Sequence, residues 1–146
     1  MRLWRYRWWL VTACLALLVV ILLCWRPSEK KYVHKKFRLR SDEIKPLAMG
    51  QGSCFASDMI TVDGKKVGYM YREPPDNEFD SGWRFLAGSE PNAYMDDAKN
   101  FGIYDVNTIA NYDPQIIEFL SAPIGSAFAR RLPANVFMPV HFQPSD

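Results

Sequence analysis

Eighteen consecutive residues without a charge, Trp8 to Trp25 (WWLVTACLALLVVILLCW), constrain this chain more than any other feature. As a helix the run spans roughly 27 Å, close to the hydrocarbon thickness of a bilayer. Trp4, Trp8 and Trp9 flank one end and Trp25 the other, and amphipathic rings form such belts at membrane interfaces. A buried core helix is disfavoured, because the run is apolar all round with no polar face. It exceeds a usual signal-peptide core, and no small-x-small cleavage site comes after it. Cys24 invites a lipoprotein reading, but Leu22 and Leu23 precede it where small residues are wanted. Residues 1–25 are therefore expected to be an N-terminal, single-pass transmembrane anchor.

Charge is segregated along the chain. The tail before the anchor carries Arg2, Arg5 and Arg7, and residues 26–46 carry eight Lys or Arg against three acids. Counting positive charge keeps the C-terminal side in the cytoplasm. Bacterial N-terminal anchors commonly leave their tail inside and export the C-terminal part of the chain, so the orientation stays open between cytoplasm and periplasm. Residues 26–52 read as a basic juxtamembrane linker. Its first part, 26–46, shows no helical or alternating period, would reach roughly 70 Å if extended, and suits anionic head groups. Residues 47–146 carry seven basic side chains against thirteen acidic ones, a net of −6. Such a surface repels phosphates, so nucleic acid is disfavoured as a partner, whereas a basic protein is favoured.

Residues 53–146 suit one domain. Met59–Val62 and Lys66–Tyr71 flank Asp63-Gly64, which predicts a hairpin, with Val67, Tyr69 and Tyr71 on one face of its second strand. Residues 73–81 form an acidic, Pro-rich loop. Trp83, Phe85 and Ala87 alternate with Arg84 and Leu86, which predicts a half-buried strand over 82–88 with Trp83 in the core. Residues 89–100 read as a polar loop or a poor helix, and 103–106 as a short strand. Asn107 suits the cap of a short turn through Ala110. Asp113-Pro114 predicts a helix start, with Ile116, Ile117 and Leu120 at helical spacing and Pro123 ending it. Residues 135–142 read as an edge strand, because Pro139 cannot donate to a ladder. The expected fold is α+β: a small, mostly antiparallel sheet with short helices.

Catalytic signatures are absent. The two histidines, His34 and His141, form no cluster with metal spacing, and Gly50-Gln51-Gly52 precedes no helix signal, so neither a metal nor a cofactor is expected. Cys54 is alone in the domain and reads as a small core residue; a pairing with His141 as nucleophile and base has no support in spacing. The carboxylates Asp76, Glu78, Asp80, Asp96, Asp97, Asp105 and Asp113 match no hydrolase motif and read as turn formers and solvated surface.

The segments Ala56–Asp58, Asp63–Lys65, Val67–Glu73, Asp80–Phe85, Gly102–Asp113 and Gly125–Arg130 together resemble bacterial polymorphic-toxin immunity proteins of type thirty-three. The resemblance covers about half of the chain and nearly all of the domain. It implies a small α+β binding domain without enzyme activity that occludes a cognate toxin or secreted effector; the apolar run and basic linker, which would hold it at the bacterial inner membrane, depart from a family whose members are mostly soluble. It transfers no contact residues. Charge and loop position nominate Asp76, Glu78, Asp80, Trp83, Asp96, Asp97, Tyr104 and Asp105 as the partner-binding set. The alternatives are a membrane-tethered carboxylate hydrolase and a non-catalytic envelope scaffold.

Overall fold

The computed structural model describes residues 34–142. The anchor expected at 8–25 lies outside them, and among the described residues no helix is long and apolar enough to cross a membrane. Six strands, β1 (Ser53–Ser57), β2 (Tyr69–Arg72), β3 (Asp80–Leu86), β4 (Phe101–Asp105), β5 (Ala127–Arg131) and β6 (Val136–Val140), form one sheet in the order β4-β1-β3-β2-β5-β6. The sheet is mixed: β1 and β3 run parallel, and every other pairing is antiparallel. The helices are short: α1 (Asp58–Thr61), α2 (Asn92–Met95) and α3 (Val106–Tyr112), with a 3-10 segment over Pro114–Phe119. The architecture is α+β.

Alternation sorts the side chains onto two faces. Cys54 and Ala56 of β1, Met70 of β2, Trp83 and Phe85 of β3 and Phe137 of β6 point to the core. There they meet Ile60 of α1, Val106, Ile109 and Ala110 of α3, and Ile116 and Leu120 beyond it. Trp83, 1% exposed, donates its indole N–H to the Leu120 carbonyl and lies 5.9 Å from the Phe85 ring. The core reading of Trp83 and the edge position of the last strand both hold.

The predicted hairpin does not form. Ser57 caps α1 by accepting from the Met59 N–H, and the chain turns helical instead of extending. Asp63-Gly64 then closes that helix. Asp63 N donates to the Asp58 carbonyl, and Gly64 N, at φ +76°, donates to that of Ile60. A positive-φ glycine serves a helix end as well as a hairpin turn, so the dipeptide alone does not choose. Val67 joins Met70 in the core before β2 begins, while Tyr69 and Tyr71 share the opposite face, their rings 5.6 Å apart.

Other differences are local. α3 is capped by Asp105, whose side chain accepts from Asn107 N, so Val106 belongs to the helix and not to β4. Asn107 uses its side chain elsewhere. Its carbonyl oxygen accepts from Leu47 N and Ala48 N, and its amide donates to the Lys45 carbonyl. Asp113 stands at the start of the 3-10 segment but caps nothing; its carboxylate accepts from Val67 N at 3.0 Å and pairs with Arg130 at 2.5 Å. Residues from Lys35 onward, within the stretch read as linker, pack on the domain. Lys35 bridges Asp58 and the Phe101 carbonyl, Arg38 N donates to the Thr61 carbonyl, and Ala48 is buried in the core.

Candidate functional site

All the helical segments named in the core lie against one face of the sheet. Among the described residues, α2 is the one α-helix on the opposite face, at one end, where Tyr94 donates to the Asn100 carbonyl and contacts the Phe101 ring edge-on. Across the rest of that face, register sets Ile103 beside Phe55, Phe55 beside Arg84, Arg84 beside Tyr71, and Tyr71 beside Ala127. A second row runs from Leu86 through Tyr69 and Ala129 to Met138. Ile103 is 76% exposed and Met138 49%, and Phe142 stacks on Tyr71 at 5.3 Å. No second layer covers this apolar, aromatic face among the described residues, and such a face is what a partner would bury.

Arg84 stands in the middle of this face, its side chain 8% exposed. Its guanidinium grips Asp80 through two bonds of 2.9 and 2.8 Å, donates to Glu73 at 2.5 Å and lies 3.4 Å from Asp76. Gly82, at φ +77°, lets the chain approach Glu73 closely enough to place that carboxylate; Glu73 N donates to the Gly82 carbonyl. The bonds from Arg84 hold the Asp80 carboxyl well below the usual carboxylate range, helped by the amides of Asp76 and Gly82. The same bonds push the Arg84 guanidinium up. A general acid needs the opposite shift, so Asp80 has no proton to give near neutral pH. A cavity of about 300 Å³ opens over the cluster, lined by Phe55, Tyr71, Glu73, Asp76, Arg84 and Ile103.

The nominated residues divide. Asp76, Glu78 and Asp80 lie in or beside the β2–β3 loop, and Asp105 reaches the same sheet end, since Ser53 is in register with both Asp80 and Asp105. Asp96 and Asp97 come after α2 at the other end of β4, where Asp97 caps Lys99 N. Trp83 has no surface to offer. Tyr104 faces inward beside Cys54, with its hydroxyl 3.2 Å from that of Thr61, and burial raises its pKa. Phe55, Tyr71, Glu73, Arg84 and Ile103 were not nominated. The alternation of Ser53–Ser57 could have flagged Phe55 as outward, but Cys54 and Ala56 make a faint apolar signal.

Cys54 is 2% exposed and burial pushes its thiol pKa up, against use as a nucleophile. β3, β2 and β5 separate its strand from β6, beyond which His141 lies, so the two residues do not meet. Among the described residues no group of three His, Cys, Asp or Glu could hold a metal.

Residues 54–141 match the family model described as the Immunity protein Imm33 domain, a span that includes all six strands except the first residue of β1. No curated protein and no solved structure matches the chain.

Proposed function

The chain belongs to the Imm33 immunity-protein family, and from that premise we propose that it neutralises a cognate bacterial toxin by covering it with the open face of its sheet. The observation that carries this reading is the sheet face away from the core, where Ile103 and Met138 are exposed and Phe55 and Tyr71 are half-buried, on a domain of net acidic charge. Inhibition is by occlusion, not by turnover. Of the carboxylates that converge here, Asp80 gives both oxygens to Arg84, and Glu73 and Asp76 give one each.

Size supports a contribution from the rim. Six strands at about 4.8 Å spacing and five residues at about 3.3 Å make a face of roughly 400 Å². A specific interface takes about 800 Å² from each partner. The surrounding loops must therefore supply the remainder, and Asp76, Glu78 and Phe79, the last 71% exposed, stand at the acidic end.

The apolar run at 8–25 would hold the domain at the inner membrane, where a toxin acting on the envelope would meet it. Because the domain already begins near Lys35, the chain free to act as a tether is shorter than the basic stretch suggests. Co-expression with the toxin-like product of the adjacent gene is the test. Protection and a recovered complex are expected from the unaltered chain. Absence of both counts against the reading, and an envelope partner bound without any toxin phenotype favours the scaffold.

A further inference from the structure

Charge around Arg84 does not cancel. One guanidinium faces the carboxylates of Glu73, Asp76 and Asp80, which leaves an excess of two negative charges. Asp80, its side chain 7% exposed, commits both oxygens to Arg84. Glu73 and Asp76 give Arg84 one oxygen each. Their other oxygens, Glu73 Oε2 and Asp76 Oδ1, accept no hydrogen bond from the described residues. These two side chains are 33% and 83% exposed and border the cavity of about 300 Å³, whose remaining walls include Phe55, Tyr71 and Ile103.

That combination is selective. An anion is repelled by the excess charge. A purely apolar side chain would strip water from the two free oxygens and return nothing. A lysine ammonium would answer the charge, but as a compact ion it leaves the flat walls without a partner. A guanidinium answers both: it offers paired N–H donors to carboxylates and stacks its plane on aromatic rings. The cavity has room for one such side chain, and it lies on the sheet face that no core helix covers.

Resting on the toxin-binding reading above, we infer that this sheet face docks a basic segment of the toxin by taking one of its arginine side chains into the cavity beside Phe55, against Glu73 and Asp76. Residues 35–146 carry fifteen acids against twelve Lys or Arg; the acidic excess at the Glu73 end of the face steers the approach, and the cavity sets the register of the complex.

The test uses the full chain in detergent micelles and, as probe, the purified toxin domain that the co-expression experiment recovers with it. Glu73→Gln with Asp76→Asn removes the excess charge and leaves Asp80 to hold Arg84. Binding is expected to weaken about tenfold or more and to lose much of its salt dependence. Ile103→Lys places a cation at the mouth without touching the Arg84 cluster, and a similar loss is expected. Replacing toxin arginines one at a time should single out one whose loss couples to Asp76→Asn in a double-mutant cycle. Affinity within twofold of the unaltered chain in both variants, each folded by circular dichroism, overturns the inference and leaves the immunity reading standing. Self-association of the chain that both variants abolish would make a second copy the occupant, and overturns it too. If the unaltered chain binds no toxin, the reading fails and the inference with it.

Discussion

Arg84→Met removes the cation from the centre of the sheet face while keeping most of its volume. Asp80 then loses two charge-assisted bonds of 2.9 and 2.8 Å and Glu73 one of 2.5 Å, and the two side chains left are only 7% and 33% exposed. Breaking a buried pair by deleting one partner costs about 3–5 kcal/mol, because the stranded charge has no water to return to. The lower half of that range is expected, since the amides of Gly82 and Asp76 still donate to Asp80. The loss should also depend on pH in a definite sense. In the unaltered chain the Asp80 pKa is depressed on folding, chiefly by Arg84, so its stabilisation is complete above the unfolded carboxylate pKa and is lost as pH falls below it. In the variant Asp80 is desolvated beside like charges, so protonation relieves it. The gap between the two proteins should be largest near pH 7 and shrink below about pH 4. Urea unfolding of the full chain in detergent, monitored by circular dichroism at neutral and acid pH, reads both effects. Combining Arg84→Met with Glu73→Gln and Asp80→Asn should recover part of the loss. A deficit under about 1 kcal/mol at pH 7, or one that grows in acid, would refute the claim that Arg84 is the counter-ion that makes this cluster tolerable.

Three further substitutions probe the frame around the site. Asp113→Asn, at a side chain 1% exposed, disrupts the bonds to Val67 N and Arg130 and should destabilise by about 3 kcal/mol with an unchanged urea m-value. Gly82→Ala forces a Cβ to 2.1 Å from the Glu73 carbonyl oxygen at φ +77°, and a loss above about 2 kcal/mol is expected in the same titration; Gly50→Ala, equally positive in φ but in open space, should cost about 1 kcal/mol. Asn107→Ala removes the side-chain acceptor shared by Leu47 N and Ala48 N, and Leu47 N keeps the Lys45 carbonyl, so the Ala48 amide above all should exchange hydrogen faster while β3 amides keep their protection.

Legibility tracked the strength of the local signal. Trp83 and Phe85 alternate with polar neighbours, and their core position was readable because large apolar side chains at period two have few other uses. The terminal strand was readable as a short apolar run, Val136–Val140, with Pro139 marking it as an edge. β1 gave little warning, since Cys54 and Ala56 are small, yet it lies between β4 and β3. β5 was also missed as a strand: Ala127–Arg131 holds two arginines, and Arg130 is accommodated only because Asp113 and the Val67 carbonyl come to it from distant parts of the chain. Asp63-Gly64 misled because the competing signal, Ser57 as a helix cap, sits six residues upstream.

By itself the sequence determined the apolar run at the N-terminus, the segregation of charge, the α+β character and the family resemblance, since these depend on composition and local order. Which acidic residues meet, which aromatic faces outward and which cation neutralises them were decided by tertiary structure. Glu73, just past the end of β2, and Arg84 on β3 lie eleven residues apart, and Phe55 and Ile103 meet only through the β1–β4 register. Register between strands comes from burying one whole face at once, so no window of sequence contains it.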